Sequence, residues 1–327
     1  MRAVVGRELG PPERYAIEEI DAGECGPDEI VVAIRYAGVS LVDCLIAAGK
    51  YQVKPDLPFT PGSEFSGVVS AVGCNVSDYA PGDRVAGSAL GGAFAEAIRL
   101  PAGRVHRLPD AADFAIGAIY RVSYATAYNA LVRRAALRSG ETVLVLGASG
   151  AVGAASIQVA KALGATVIAS ASGEAKRAFA LAQGADDVIE ARGDDWRDRL
   201  KAVTDGVDVV VDPVGGAATE PAFRSLRWGG RHVIVGFAAG AIPKLPVNLP
   251  LLKGGSLMGT DLRQFGEREP EAYRADVAAV WELFGRGLTR PAIAAIYTLD
   301  SFADAMRAVM AGEAGGRILL GIGTERE

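Results

Sequence analysis

Histidine and cysteine are scarce in this 327-residue chain: His106 and His232, then Cys25, Cys44 and Cys74. Three cysteines are an odd number, and their spacing fits no zinc ribbon, so reduced thiols in a cytoplasmic protein are expected. No apolar run approaches the ~20 residues that span a bilayer, which argues against a membrane partner. The start, Met1-Arg2-Ala3-Val4-Val5, reads as a first strand and lacks the charged, apolar and cleavage regions of a signal peptide. Positive charge is in deficit too: 34 Lys and Arg face 39 Asp and Glu, a formal net charge of -5. That balance leaves no electrostatic footprint for nucleic acid, and a pair such as Arg133-Arg134 reads as a solvated face. Internal repeats and low-complexity linkers are also missing.

What is present is ordinary globular material, 50% hydrophobic and 22% charged, in a chain long enough for two domains. Up to about Pro109 the pattern is β-rich. Short apolar runs such as Ile30–Ile34 and Ser66–Ser70 are split by glycine and proline turns, and Pro81-Gly82-Asp83 feeds another strand. This predicts a small barrel or sandwich-like domain. A helical stretch follows over Ala111–Val132. Strands are then predicted at Thr142–Leu146, Thr166–Ala169, Asp186–Ile189, Val207–Asp212, His232–Phe237 and Ser256–Gly259. Helices are predicted between them at Val152–Leu163, Glu174–Gln183, Trp196–Thr204 and Glu220–Leu226. Runs like Val207–Val211 are continuously apolar, as suits strands covered on both faces. The fold class is therefore α/β, with a doubly wound parallel sheet beside a β-rich domain. The tail, with an amphipathic stretch at Glu271–Gly285 and strand-like Arg317–Leu320, does not extend the βα series. It is expected to return to the first domain.

The most specific motif is Gly147-Ala148-Ser149-Gly150-Ala151-Val152-Gly153, placed between an apolar strand and an apolar helix. Glycines there permit a tight turn and let backbone N–H groups approach a pyrophosphate at the positive end of a helix. A glycine-rich turn with no ligand is the plain alternative, but the βα setting favours a dinucleotide. NAD binders usually carry an acid about 20 residues past the turn, to hold the ribose 2′-hydroxyl. Here that region reads Ser170-Ala171-Ser172-Gly173-Glu174-Ala175-Lys176-Arg177. Ser170 and Ser172 can hydrogen-bond a 2′-phosphate, and Lys176 or Arg177 can neutralise it, unless they are solvated helix residues. NADPH is the expected cofactor. Glu174 is the residue that could instead turn back toward the ribose.

Further blocks bear a resemblance to a known family. They are Ala37-Gly38-Val39-Ser40-Leu41-Val42-Asp43, Gly49-Lys50-Tyr51, Pro58–Glu64, Gly82–Val85, Tyr124–Tyr128, Lys161–Ala165, Asp212–Gly216 and Gly229-Gly230. In number and order these resemble the zinc-independent quinone oxidoreductase branch of the medium-chain dehydrogenase/reductase superfamily, over almost the whole chain. The resemblance implies a GroES-like domain (residues 1–122), a Rossmann domain (123–262) and a return to the first domain (263–327). It also implies that Tyr51 is a substrate contact or proton donor, with Ser40 and Thr126 near the nicotinamide. Val214, Gly236, Phe237 and Met258 would line the cofactor, and Arg192 would lie on its adenine side. Pairing into homodimers through the edge strand Ser256–Gly259 is common in that family. This chain departs from the usual pattern at Ser40, where asparagine is frequent, at Leu41, at Tyr120-Arg121 and at Ala191.

Zinc-dependent members of the superfamily carry a Gly-His-Glu segment, but here it reads Gly62-Ser63-Glu64. The two histidines fall in strand-like contexts elsewhere, and Cys44 reads as buried packing, so no metal is expected. Polarising a carbonyl then falls to hydrogen-bond donors, which suits hydride addition to a pre-activated small molecule such as a quinone or enone. Two other readings stand beside it, an enoyl-thioester reductase and a non-catalytic NADPH-binding protein.

Overall fold

The computed structural model describes residues 1–312 and 315–323. The chain divides into two units. One is Met1–Tyr120 together with the chain from Ala292 onward, and the other is Arg121–Pro291.

The first unit opens with an antiparallel pair, β1 (Arg2–Gly6) and β2 (Tyr15–Glu19). The long strand β3 (Glu29–Val39) follows, then helix α1 (Leu41–Ala47), β4 (Glu64–Val72), β5 (Arg84–Ser88), β6 (Ala97–Pro101) and β7 (Val105–Arg107). The period-two alternation of β3 turns Ile30, Val32 and Ile34 inward, where they are buried with Phe65, Val69, Val85 and Phe94. The division between the units falls within helix α2 (Phe114–Tyr128), which ends in a π-helical turn at Asn129–Arg134.

In the second unit strands and helices alternate. They run β8 (Thr142–Leu146), α3 (Ala151–Ala162), β9 (Thr166–Ala171), α4 (Glu174–Ala182), β10 (Asp187–Glu190), α5 (Trp196–Val203), β11 (Val207–Asp212), α6 (Thr219–Arg224), β12 (Leu226–Ile234), α7 (Asn248–Lys253) and β13 (Ser256–Gly259). All six strands are parallel, in the order β10-β9-β8-β11-β12-β13. From β8 the chain steps outward to β9 and β10, then returns to β11 on the other side. The strand order therefore reverses between β8 and β11, where doubly wound sheets open a crevice at the carboxyl ends of their strands. Val143–Val145 and Val209–Val211 are wholly buried, which is why these runs are continuously apolar.

Helices α8 (Leu262–Arg268) and α9 (Pro270–Gly285) complete this unit. The return to the first unit therefore comes at Ala292, not at residue 263 as the sequence suggests. Long-range bonds tie α9 to this unit: Asp276 of α9 pairs with Arg133 at 2.8 Å, and the Tyr273 hydroxyl accepts from Arg121 at 3.0 Å. A second difference concerns β12, which runs Leu226–Ile234, so Gly236 and Phe237 fall in the loop beyond it. Strand β14 (Ile293–Thr298), helix α10 (Phe302–Ala311) and strand β15 (Arg317–Gly321) then rejoin the first sheet, in the order β14-β15-β3-β4-β5-β7 with β6 also on β3. Among the described residues no helix is long and apolar enough to cross a membrane.

Candidate functional site

The glycine turn lies at the carboxyl end of β8, beside the point of strand reversal. Gly147 has φ +56°, a left-handed conformation that favours glycine, and a β-carbon there would sit 2.8 Å from Val214 Cγ2 in the loop leaving β11. The Ala148 N–H donates to the Ser170 carbonyl of β9 at 3.1 Å, tying the turn to the next strand. Gly150 caps α3 with no side-chain hydrogen bond, so no cap side chain competes for the first-turn N–H groups at the positive end of the helix. A β-carbon on Gly153 would strike the Gly147 carbonyl oxygen and lie 2.8 Å from Ala148 Cα. Helix and turn are therefore as close as glycine permits. Ser149, Ala151 and Val152 are half-buried around the same turn. The arrangement fits a dinucleotide pyrophosphate.

The loop leaving β11 is organised by Asp212, which sequence reasoning missed. Its Oδ1 accepts the N–H groups of Val214 and Gly215 at 2.9 and 2.8 Å. Its Oδ2 accepts the Thr219 hydroxyl at 2.7 Å and meets His232 Nε2 at 3.1 Å. Burial by itself pushes this carboxyl up, but the hydrogen bonds from His232, Gly215 and Thr219 outweigh it and leave Asp212 below the ordinary carboxylate value. An acid closing an apolar strand just before Pro213-Val214-Gly215-Gly216 was the available signal. Gly236 and Phe237 adjoin this loop: the Gly236 N–H donates to the Asp212 carbonyl, and a β-carbon on Gly215 would lie 2.7 Å from the Phe237 ring. Met258 pairs with Val233 across β12 and β13.

The tips of β9 and β10 hold the charged groups. Ser170 is buried, and its hydroxyl accepts the Trp196 indole N–H at 3.0 Å. Ser172 is half-buried beyond the strand end. Arg177 is committed to Glu190, whose Oε2 also accepts the Gly173 N–H at 2.9 Å and whose Oε1 accepts the Arg192 N–H at 3.1 Å. These donors, the Gly173 amide first, hold Glu190 below the usual carboxylate range. Lys176 has no ion-pair partner among the described residues. Arg192 is exposed. Thr126, in α2, is buried, and its hydroxyl donates to the Val122 carbonyl at 2.7 Å.

In the first unit Ser40 is the N-cap of α1. Its hydroxyl donates to Asp43 Oδ2 at 2.6 Å, its N–H donates to the same oxygen at 2.8 Å, and the Asp43 N–H donates back to the hydroxyl at 3.2 Å. This reciprocal cap is legible in the Ser-x-x-Asp spacing. Asp43 is buried, which pushes its carboxyl up against the hydrogen bonds of Ser40 and Ser63. Cys44 is buried too, and its thiol is pushed up to about 12 by burial and by Asp43. Glu64 is locked in a buried ion pair with Arg317, which also donates to the Ile119 carbonyl. Tyr51 rests its ring on the core of this unit. Among the described residues no group of three or more His, Cys, Asp or Glu comes together in a way that could hold a metal.

Two sequence families match the chain: alcohol dehydrogenase GroES-like domain over residues 26–110, and zinc-binding dehydrogenase over residues 151–282. Quinone oxidoreductase-like protein 2 of Rattus norvegicus is 36% identical over 98% of this chain and 92% of its own length. Quinone oxidoreductase of Homo sapiens is 34% identical over 98% and 97%. Among solved structures, a mycobacterial quinone oxidoreductase superposes with a TM-score of 0.87 at 28% identity, covering 98% of this chain and 99% of that one. A mycobacterial protein in complex with NADPH superposes at 0.90 with 27% identity, covering 98% and 99%. A GroES-like β-rich unit and a doubly wound unit with a dinucleotide turn define an oxidoreductase. The chain belongs to the quinone oxidoreductase branch of the medium-chain dehydrogenase/reductase superfamily.

Proposed function

We propose that this chain reduces a quinone or an α,β-unsaturated carbonyl compound with NADPH, without zinc. The observation that carries the reading is the fate of the groups around Gly62-Ser63-Glu64. Ser63 stands where zinc-dependent members have histidine, Glu64 is neutralised by Arg317, and Asp43 is taken by Ser40 and Ser63. Hydroxyl groups are left to polarise the acceptor, and they suffice where the developing negative charge is delocalised. When bound, NADPH supplies the hydride. The turn amides at Gly147–Gly153 hold the pyrophosphate, and Lys176 with Ser172 meets the 2′-phosphate. Thr126, Val214, Gly236, Phe237 and Met258 border the nicotinamide side, with Arg192 toward the adenine. Tyr51 donates a hydrogen bond to the substrate oxygen, or Ser40 does so by turning its hydroxyl from Asp43.

NADPH oxidation is measured with 9,10-phenanthrenequinone, a simple enone and a crotonyl thioester. Turnover of the first two over the third is expected. Preference for the thioester would replace the reading with an enoyl-thioester reductase. Tight NADPH binding with no turnover on any acceptor would leave a non-catalytic binding protein.

We further propose a homodimer joined at β13, the edge of the parallel sheet. Leu257 is exposed on that strand, and Leu251 and Leu252 of α7 are exposed nearby in sequence. Light scattering after size exclusion is expected to give twice the chain mass, with Leu257→Lys shifting it toward the monomer. A monomeric parent would remove this proposal. The three free cysteines suit the cytoplasm as the compartment.

A further inference from the structure

The charges at the tips of β9 and β10 are not arranged only in favour of a phosphate. Two groups that could receive one, the Gly173 amide at the start of α4 and the Arg177 guanidinium, are already occupied by the Glu190 carboxylate. The end of β10 that bears this carboxylate is held in place independently of it. Arg199 donates to the carbonyls of Glu190 and Arg192 at 3.3 and 2.7 Å, and pairs with Asp195 at 2.6 Å. Glu190 is thus a built-in anion on a fixed segment, adjoining the strand tip where the 2′ substituent of the adenosine ribose is read in doubly wound sheets.

We propose that Glu190 sets the dinucleotide preference of this chain, by holding Arg177 and the Gly173 amide away from the 2′-phosphate and opposing its charge. The inference rests on the NADPH reading above and refines it: Lys176 draws the phosphate in while Glu190 limits the gain. Preference for NADPH over NADH is consequently smaller than the number of nearby cations suggests. A 2′-hydroxyl carries no charge, so NADH meets none of the repulsion that Glu190 directs at a 2′-phosphate.

Dissociation constants of NADPH and NADH are measured by dinucleotide fluorescence for the parent chain, Glu190→Gln, Arg177→Ala and the double variant. Thermal melting confirms that each folds. Glu190→Gln is expected to tighten NADPH about tenfold at low salt, with the gain shrinking as ionic strength rises, and to leave NADH within about twofold. In the Arg177→Ala background most of that gain disappears, because the released guanidinium produces it. An unchanged NADPH constant, or equal changes for both dinucleotides, overturns the proposal. A parent chain that binds NADH more tightly overturns the NADPH reading instead. In that case a selective gain of NADPH binding in Glu190→Gln still supports the role of Glu190. If Glu190→Gln unfolds, Glu190→Ala provides the same comparison.

Discussion

Gly153, in the first turn of α3, faces the Gly147 carbonyl so closely that a β-carbon on it would strike that oxygen. The expected effect of Gly153→Ala is therefore displacement of the turn, not mere crowding of a side chain. Overpacking of this kind costs about 1–3 kcal/mol, and dinucleotide affinity should fall with it. Gly150→Ala is the control: φ is -76° and the added carbon would sit 3.3 Å from the same oxygen. Urea unfolding and dinucleotide titration should rank Gly153→Ala well below Gly150→Ala. Equal effects would show that the turn adapts.

Lys176 and Arg177 are adjacent in sequence but not equivalent in the fold, because Glu190 engages only the second. Lys176→Ala should raise the KM for NADPH by about tenfold or more, with little change for NADH. Arg177→Ala should have the smaller effect. Steady-state kinetics with both dinucleotides decides this, and equal changes for NADPH and NADH in Lys176→Ala would remove that residue from the 2′-phosphate.

Asp212 accepts four hydrogen bonds in the core, so Asp212→Asn should cost about 1–3 kcal/mol at neutral pH. Its folded pKa lies below the unfolded value. The stability it contributes is therefore complete above the unfolded carboxylate pKa of about 3.9, and is lost as pH falls through the lower folded value. Urea unfolding between pH 7 and acid should show the parent converging on Asp212→Asn only below about pH 4. A gap that stays constant to lower pH would mean that this carboxylate is not the group responsible.

Ser40 combines a structural task with its proposed chemical one, and Tyr51 does not. Ser40→Ala should lose about 1 kcal/mol of stability as a helix cap and also lower kcat, if its hydroxyl meets the substrate. Tyr51→Phe keeps the ring on the core and should leave melting unchanged. A fall in kcat of about 10²-fold in Tyr51→Phe alone would identify the tyrosine as the proton donor.

The extent to which sequence revealed this molecule depends on the distance over which each feature is determined. The apolar runs of β8 and β11 and the glycine turn are local, and each was readable in place. The beginning of β12 was not. Arg227, exposed Trp228 and the pair Gly229-Gly230 look like a turn, yet β11 and β13 pair with the strand they belong to. The contact of Ser170 with Trp196 spans 26 residues and is not visible in any local spacing. Arg177 and Glu190 also meet across a gap in sequence, 13 residues apart, one within α4 and the other at the end of β10. The Ser40–Asp43 cap was short-range and could have been read from spacing alone. The boundary at Ala292 depends on α9 finding Arg121 and Arg133 far back in the chain, which no window of sequence displays.

Strand β15 lies between β14 and β3 in the first sheet, and its Arg317 neutralises Glu64, 253 residues earlier. The second unit, by contrast, is one continuous stretch from Arg121 to Pro291. During synthesis the dinucleotide-type unit is therefore whole while the unit that began first still lacks an interior strand and carries an uncompensated buried carboxylate. The order of completion is the reverse of the order of translation. A nascent chain halted before Arg317 would hold a finished second unit and an open first sheet, with the Tyr36–Val39 end of β3, beyond its pairing with β6, exposed to whatever strand reaches it.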